Sequence, residues 1–164
     1  MEKYDEKMEE RKVQNKKELT IEATVENIET VTEFVDTSLD AFDCPMKAKM
    51  QINIAIDELF GNIAHYAYHP KTGFVEVRVE VIEDPLAVII TFIDEGIPYD
   101  PLTQEEPDVT LSAEQRMVGG LGIYMVKKSM DAISYEYKEG KNILKIKKNF
   151  YCLLYTSDAA DDLI

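Results

Sequence analysis

"IDELFGNIAHYA" (Ile56–Ala67) has two unlike faces, and what lies against each decides the fold. At 100° per residue, six apolar side chains, Ile52, Ile56, Leu59, Phe60, Ile63 and Ala67, fall within an arc of about 100°. That stripe predicts a helix packed on a sheet. Glu58, Asn62 and His65 lie within about 60° of one another on roughly the opposite side, with the small Ala55 and Gly61 as neighbours. A solvated face in so acidic a chain would be filled with Lys and Glu. A carboxylate and an amide one turn apart, with room beside them, suit a ligand. An i,i+4 pair on a partly exposed surface is the plainer alternative.

Composition narrows what that ligand is. The 164 residues make one domain, and 45% hydrophobic content supports a real core. With 18 basic against 32 acidic residues the net charge is −14. That argues against non-specific affinity for nucleic acid or anionic membrane, both of which need positive charge. A nucleotide bound with a divalent cation stays possible, because the metal brings its own charge. The longest apolar run, Leu86 to Ile93, is far too short to span a bilayer. There is no basic-then-apolar signal pattern, and two cysteines, Cys44 and Cys152, are too few for a disulfide framework. The expected compartment is a reducing cytoplasm.

The two ends stand apart. Residues 1–17 have almost no apolar periodicity and are expected to be a charged arm, a solvated helix or frayed. "CLLYTSDAADD" (Cys152–Asp162) looks like one reading frame through the transposon-end adapter used in sequencing-library preparation. Residues 152–164 are therefore expected to be an artefact, with the native chain ending near Tyr151 and a single domain over 18–151.

Between them, "ELTIEAT" (Glu18–Thr24) alternates as a strand, and Asn27 is placed to cap a helix burying Ile28, Val31, Phe34, Val35, Leu39 and Phe42. Pro45 opens the longer helix, which should end near Pro70. "FVEVRVEVI" (Phe74–Ile82) alternates, and "LAVIITFID" (Leu86–Asp94) reads as its more buried partner. Glu95 to Pro107, with three prolines, forms a long loop, of a kind that is usually functional or mobile. Leu111 to Met117 suggests a short helix, and Leu121 to Met130 another. A hairpin around Glu139-Gly140-Lys141-Asn142 closes the chain. The order β-α-α-β-β-loop-α-β-β predicts an α+β two-layer sandwich: a mixed, mostly antiparallel sheet with helices on one face.

Two further stretches can carry chemistry. In "FIDEGIPYDP" (Phe92–Pro101), Asp94 ends a buried strand and Gly96 follows. A carboxylate there can accept a hydrogen bond from a flat heterocycle lying close to the backbone, although an Asp-Gly turn is the simpler explanation of this stretch alone. In "GGLGIYMVKKSMD" (Gly119–Asp131), glycines open a helix whose N–H groups and dipole suit phosphate. Glycine-rich helix starts are common, and no P-loop lysine motif or dinucleotide fingerprint is present.

Taken together and in this order, Glu58-x-x-x-Asn62, Asp94-x-Gly96 and Gly119-Gly120-x-Gly122 resemble the ATP-binding fold shared by type II topoisomerases such as gyrase, heat-shock chaperones, mismatch-repair proteins and histidine kinases. The small size, "DELFGNIAHYAY" and "GGLGIYMVKKSMD" look most like the anti-sigma-factor serine/threonine kinases of bacteria, over about Glu18 to Phe150. The resemblance implies ATP held between the helix layer and a lid loop. It implies that Asn62 coordinates Mg²⁺ on the ATP phosphates and that Glu58 is the base that deprotonates a protein serine or threonine. Asp94 would bind the adenine amino group, Gly96 would let the ring approach, and Gly119, Gly120, Leu121 and Gly122 would wrap the phosphates. Arg116 is placed to reach the γ-phosphate; His65 is assigned a supporting role and His69 none. The implied partners are a sigma factor and an anti-sigma-factor antagonist, with a possible homodimer and no direct contact to nucleic acid or membrane.

This sequence departs from the family at two points. Many relatives have a threonine after the glycine of the last hairpin to assist adenine binding, where this chain has Lys141 and Asn142, and Asn142 is the candidate substitute. Gly61 interrupts a helix, which a tight approach of ligand or sheet would explain. The alternative to a kinase is a module of the same fold that binds ATP and a partner without transferring phosphate. A histidine kinase lacks support because no upstream phosphoacceptor helix pair is seen.

Overall fold

The computed structural model describes residues 13–83, 86–103 and 120–150. Five strands form one sheet: β1 (Val13–Glu22), β2 (Phe74–Ile82), β3 (Ala87–Asp94), β4 (Ala132–Lys138) and β5 (Lys141–Asn149). Their spatial order is β1-β2-β3-β5-β4, and every pairing among them is antiparallel. Three helices, α1 (Ile28–Leu39), α2 (Met46–Asn62) and α3 (Gly120–Ser129), complete the α+β sandwich.

The apolar stripe of α2 does what its spacing predicts. Ile52, Ile56, Leu59 and Phe60 are buried completely or nearly so, and Ile63 and Ala67 are 9% exposed. They share one core with Val31, Val35 and Leu39 of α1, Val75, Val77, Val79 and Val81 of β2, and Ile123 and Val126 of α3. Full burial of such a side chain contributes roughly 1.5–3 kcal/mol. The stripe therefore far outweighs the roughly 1 kcal/mol that Gly61 costs within a helix.

Both faces of β3 are buried. On the face away from the core, its cross-strand neighbours are Glu76, Arg78 and Glu80 of β2 and Ile143, Lys145 and Lys147 of β5. The aliphatic stems of such long side chains can cover neighbouring apolar surface while their charged ends reach water.

Several boundaries differ from the sequence expectation. β1 starts at Val13, so residues 13–17 are strand and not part of an arm. β2 runs on to Ile82 and supplies ladder partners that far back, across an irregularity between Val13 and Asn15. Asn27 precedes α1, but its side chain donates to the Glu22 carbonyl (2.8 Å) and makes no cap hydrogen bond. The α2 hydrogen-bonding pattern stops at Asn62 and continues as a π turn over Ile63–Ala67. The closing hairpin turns at Glu139 (φ 53°) and Gly140 (φ 78°), the two positive-φ residues of a tight two-residue connection. The arm before Val13, the expected short helix at 111–117, and the segment 152–164 lie outside the described residues. Among the described residues, no helix is long and apolar enough to cross a membrane.

Candidate active site

α2 presents Glu58 and Asn62 on the side away from the core. Both are half-buried, and the Asn62 amide donates to Glu58 Oε1 at 3.3 Å. His65, expected on the same face, is exposed. The bond leaves Asn62 Oδ1 as the acceptor end of the amide, without a partner among the described residues.

α3 closes against this pair. A Cβ built on Gly122 would lie 2.0 Å from Glu58 Cδ and 2.1 Å from its Oε2. In this structure the missing side chain at 122 is what makes room for the Glu58 carboxylate. Gly120 is the first residue of α3, Leu121 is 38% exposed, and Gly119 and Arg116 lie outside the described residues. Gly61 behaves otherwise. It is buried, yet among the described residues nothing beyond its own turn of helix lies within 4 Å of where its Cβ would be, so no tight approach of the sheet is found there.

Asp94 ends β3 and is only 5% exposed. Its Oδ1 accepts from the Gly96 N–H and from Asn142 Nδ2, both at 2.9 Å, and Oδ2 has no partner among the described residues. Burial pushes the carboxyl pKa up, and the two donors oppose that rise. Gly96 was expected to admit a ring. Among the described residues its Cβ would fall 2.4 Å from the Ala67 carbonyl oxygen, so the bare backbone there packs on the end of the π turn.

Asn142, only weakly marked in the sequence, joins this end of the site together. It sits opposite Asp94 in the β3–β5 register. Nδ2 also donates to the Ile97 carbonyl (2.9 Å), while Oδ1 accepts from the Tyr99 N–H (3.2 Å) and the Tyr135 hydroxyl. Tyr135 and Tyr99 were not anticipated. The only available signal was the alternation of "AISYEYK", which puts Tyr135 and Tyr137 on one face of β4 without saying what they meet.

Asn62, Asp94 and Asn142 line one cavity whose remaining wall is mainly apolar, including Leu59, Ile63, Ile97 and Leu144. A concave apolar slot with a few convergent polar groups is the usual form of a small-molecule site. No cluster of three or more His, Cys, Asp or Glu suited to a metal is found among the described residues.

Known proteins resemble this chain in sequence and in fold. The model of the histidine kinase-like ATPase domain matches residues 21–148. A serine-protein kinase RsbW of Bacillus subtilis (strain 168) is 31% identical over 102 residues, covering 58% of this chain and 62% of that protein. The RsbW of Listeria monocytogenes serovar 1/2a is 29% identical over 101 residues, covering 58% and 63%. The chain thus spans somewhat under two thirds of the length of these curated relatives. Among solved structures, the RsbU and RsbW domains of Rv1364c from Mycobacterium tuberculosis align with a TM-score of 0.58 at 16% identity, over 82% of this chain and 32% of that one, a likeness of fold. The chain belongs to the histidine kinase-like ATPase domain family, and its sequence likeness within that family runs to the RsbW serine-protein kinases.

Proposed function

We propose that this protein is an ATP-dependent serine/threonine protein kinase that binds a sigma factor and phosphorylates the antagonist protein that frees it. The observation that carries this reading is that Asn62, whose amide donates to Glu58 at 3.3 Å, lines one cavity together with the buried Asp94. The likeness to RsbW kinases supports the choice of acceptor and partners.

In this reading Asp94 Oδ2 accepts from the exocyclic amino group of adenine, because Oδ1 is already saturated. The phosphates extend toward Asn62 and the start of α3, where N–H groups and the helix dipole favour negative charge. Mg²⁺ fits as a companion of ATP: it keeps several waters and needs only one or two protein ligands besides phosphate oxygens, and Asn62 Oδ1 is available. When bound it neutralises charge developing on the phosphate oxygens.

Glu58 has one oxygen held by the Asn62 amide, and the second, without a partner among the described residues, takes a proton. The hydroxyl oxygen of the acceptor serine or threonine attacks the γ-phosphorus while its proton passes to Glu58. The bond from the γ-phosphorus to the bridging oxygen breaks, and ADP leaves with that electron pair. Such transfer depends mainly on positioning and electrostatics, with the base contributing about 10²- to 10⁴-fold.

The test pairs labelled ATP and Mg²⁺ with candidate antagonist proteins. Glu58→Gln should lower transfer by about 10²- to 10⁴-fold while leaving ATP affinity nearly unchanged. A wild-type protein that binds ATP and a sigma factor but phosphorylates no antagonist would instead be a non-catalytic partner-switch module.

A further inference from the structure

The two halves of the cavity, Asn62 on α2 and Asp94 on β3, are joined by a short fastening that the functional reading leaves unused. Beyond Asn62 the chain passes through the π turn Ile63–Ala67, an irregularity often found at functional sites. The end of that turn is tied to the loop after β3 at two points. The Ile97 N–H donates to the Ala67 carbonyl at 2.9 Å, and the Glu95 N–H donates to the Tyr68 hydroxyl at 2.8 Å. Tyr68 in turn donates its hydroxyl proton to the Phe74 carbonyl at 2.6 Å. These directions are forced, since an amide N–H cannot accept and a carbonyl cannot donate.

Two glycines make the fastening tight. Gly96 lies between the two bonds and has no room for a Cβ beside Ala67. On the other side, a Cβ on Gly73 would fall 2.4 Å from Tyr68 Cε1, so the ring is held against bare backbone. Tyr68 therefore ties together the α2 exit, the start of β2 and the loop that begins at Asp94.

We propose that Tyr68 is a positioning residue that fixes the spacing between Asn62 and Asp94, and so selects a ligand long enough to engage both. This rests on the nucleotide reading of the site. A ligand with its base at Asp94 and its phosphates at Asn62 gains from the second contact only when the span matches, because the effective concentration of that contact falls as the spacing loosens. Adenosine or magnesium tripolyphosphate engages one end each and is indifferent to the spacing.

The experiment uses the full chain and Tyr68→Phe, which keeps the ring against Gly73 and removes only the hydroxyl. Dissociation constants for MgATP, adenosine and magnesium tripolyphosphate are measured, with amide hydrogen exchange in parallel. MgATP should weaken about tenfold, the scale of one or two hydrogen bonds, while neither fragment changes by more than about twofold. The Glu95 and Ile97 amides should lose protection while those within β3 keep theirs. Gly73→Ala, which pushes the ring from its far side, should give the same split and stands in if the phenylalanine variant folds poorly. MgATP and adenosine weakening together would reduce Tyr68 to local support of the Asp94 loop and overturn the proposal. Unchanged MgATP affinity with loosened amides would also overturn it. A wild-type protein that binds neither MgATP nor adenosine would instead overturn the nucleotide reading on which it rests.

Discussion

Asn142 faces Asp94 across the β3–β5 ladder, and its amide nitrogen donates to the Asp94 carboxylate at 2.9 Å. The amide cannot be flipped without loss. Its oxygen meets the Tyr99 N–H and its nitrogen meets the Ile97 carbonyl, each of which has only one hydrogen-bonding sense. Asn142 thus fixes Asp94 and the loop that leaves it as one unit, from a position only 5% exposed.

Asn142→Ala should therefore act on stability and on binding together. It strands the Ile97 carbonyl and loosens Asp94, at a cost of about 1–3 kcal/mol for a buried group left unpaired. Nucleotide affinity should fall by roughly tenfold. Denaturant unfolding and calorimetric titration check both, and a variant as stable as wild type would remove Asn142 from this role.

Asp94→Asn separates stability from binding. The folded-state pKa of Asp94 is raised above its ordinary value of 3.8, with burial as the largest cause. A carboxyl raised in this way supports the fold while protonated, below the unfolded value, and that support is lost as pH rises through the raised folded value. At neutral pH the charged group therefore costs stability. The asparagine variant should melt higher than wild type at pH 7, with the advantage vanishing below about pH 3.8. Its ATP affinity should drop about ten- to a hundredfold, for loss of a charge-assisted hydrogen bond. A lower melting temperature at pH 7 would mean that the Gly96 and Asn142 donors outweigh burial.

Asn62→Ala should leave the fold within about 0.5 kcal/mol of wild type, because the side chain is half-exposed and its one bond among the described residues, to Glu58, is long. Its effect should appear as a lost response to Mg²⁺. Titration of ATP with and without Mg²⁺ should show a difference in wild type and little in the variant, while adenosine binds both alike. A retained Mg²⁺ response would move the metal contact to another residue.

What the sequence made legible was periodicity. The α2 stripe, the alternation of "FVEVRVEVI" and the Glu139-Gly140 turn each follow from local spacing, and each is where that spacing puts it. The first residues of β1 escaped because "VQNKK" carries no alternation, and its pairing comes from the length of β2 instead. The role of Asn142 depends on a register between strands whose paired residues lie 48 apart, which no local pattern encodes. The glycines were legible only in part. Their presence marked candidate ligand contacts, and the protein neighbours that the structure sets against them, Ala67 at Gly96 and Glu58 at Gly122, are named by no local pattern. Tyr68 gave no signal at all, since its partners Phe74 and Glu95 come together only where the chain leaving α2 packs on the ends of β2 and β3.

Gly122 gives the sharpest separation between two explanations of one residue. The family resemblance makes it part of a phosphate wrap, whereas the structure sets it against the Glu58 carboxylate. The two differ in what Gly122→Ala should do. A Cβ at 122 meets the end of a flexible side chain, so Glu58 can swing aside and the fold should survive, with alanine in a helix even gaining roughly 0.5–1 kcal/mol over glycine. If room for the base is the requirement, transfer should fall by about the 10²- to 10⁴-fold expected of losing the base, with ATP affinity almost unchanged. The two losses would then share one cause, and Gly122→Ala combined with Glu58→Gln should be no slower than Glu58→Gln alone. If phosphate contact is the requirement, ATP affinity should collapse in Gly122→Ala and the double variant should be worse than either single one. Melting curves, ATP titrations and transfer rates for the four proteins decide between them, and multiplicative losses would rule out the seating of Glu58 as the reason for glycine at 122.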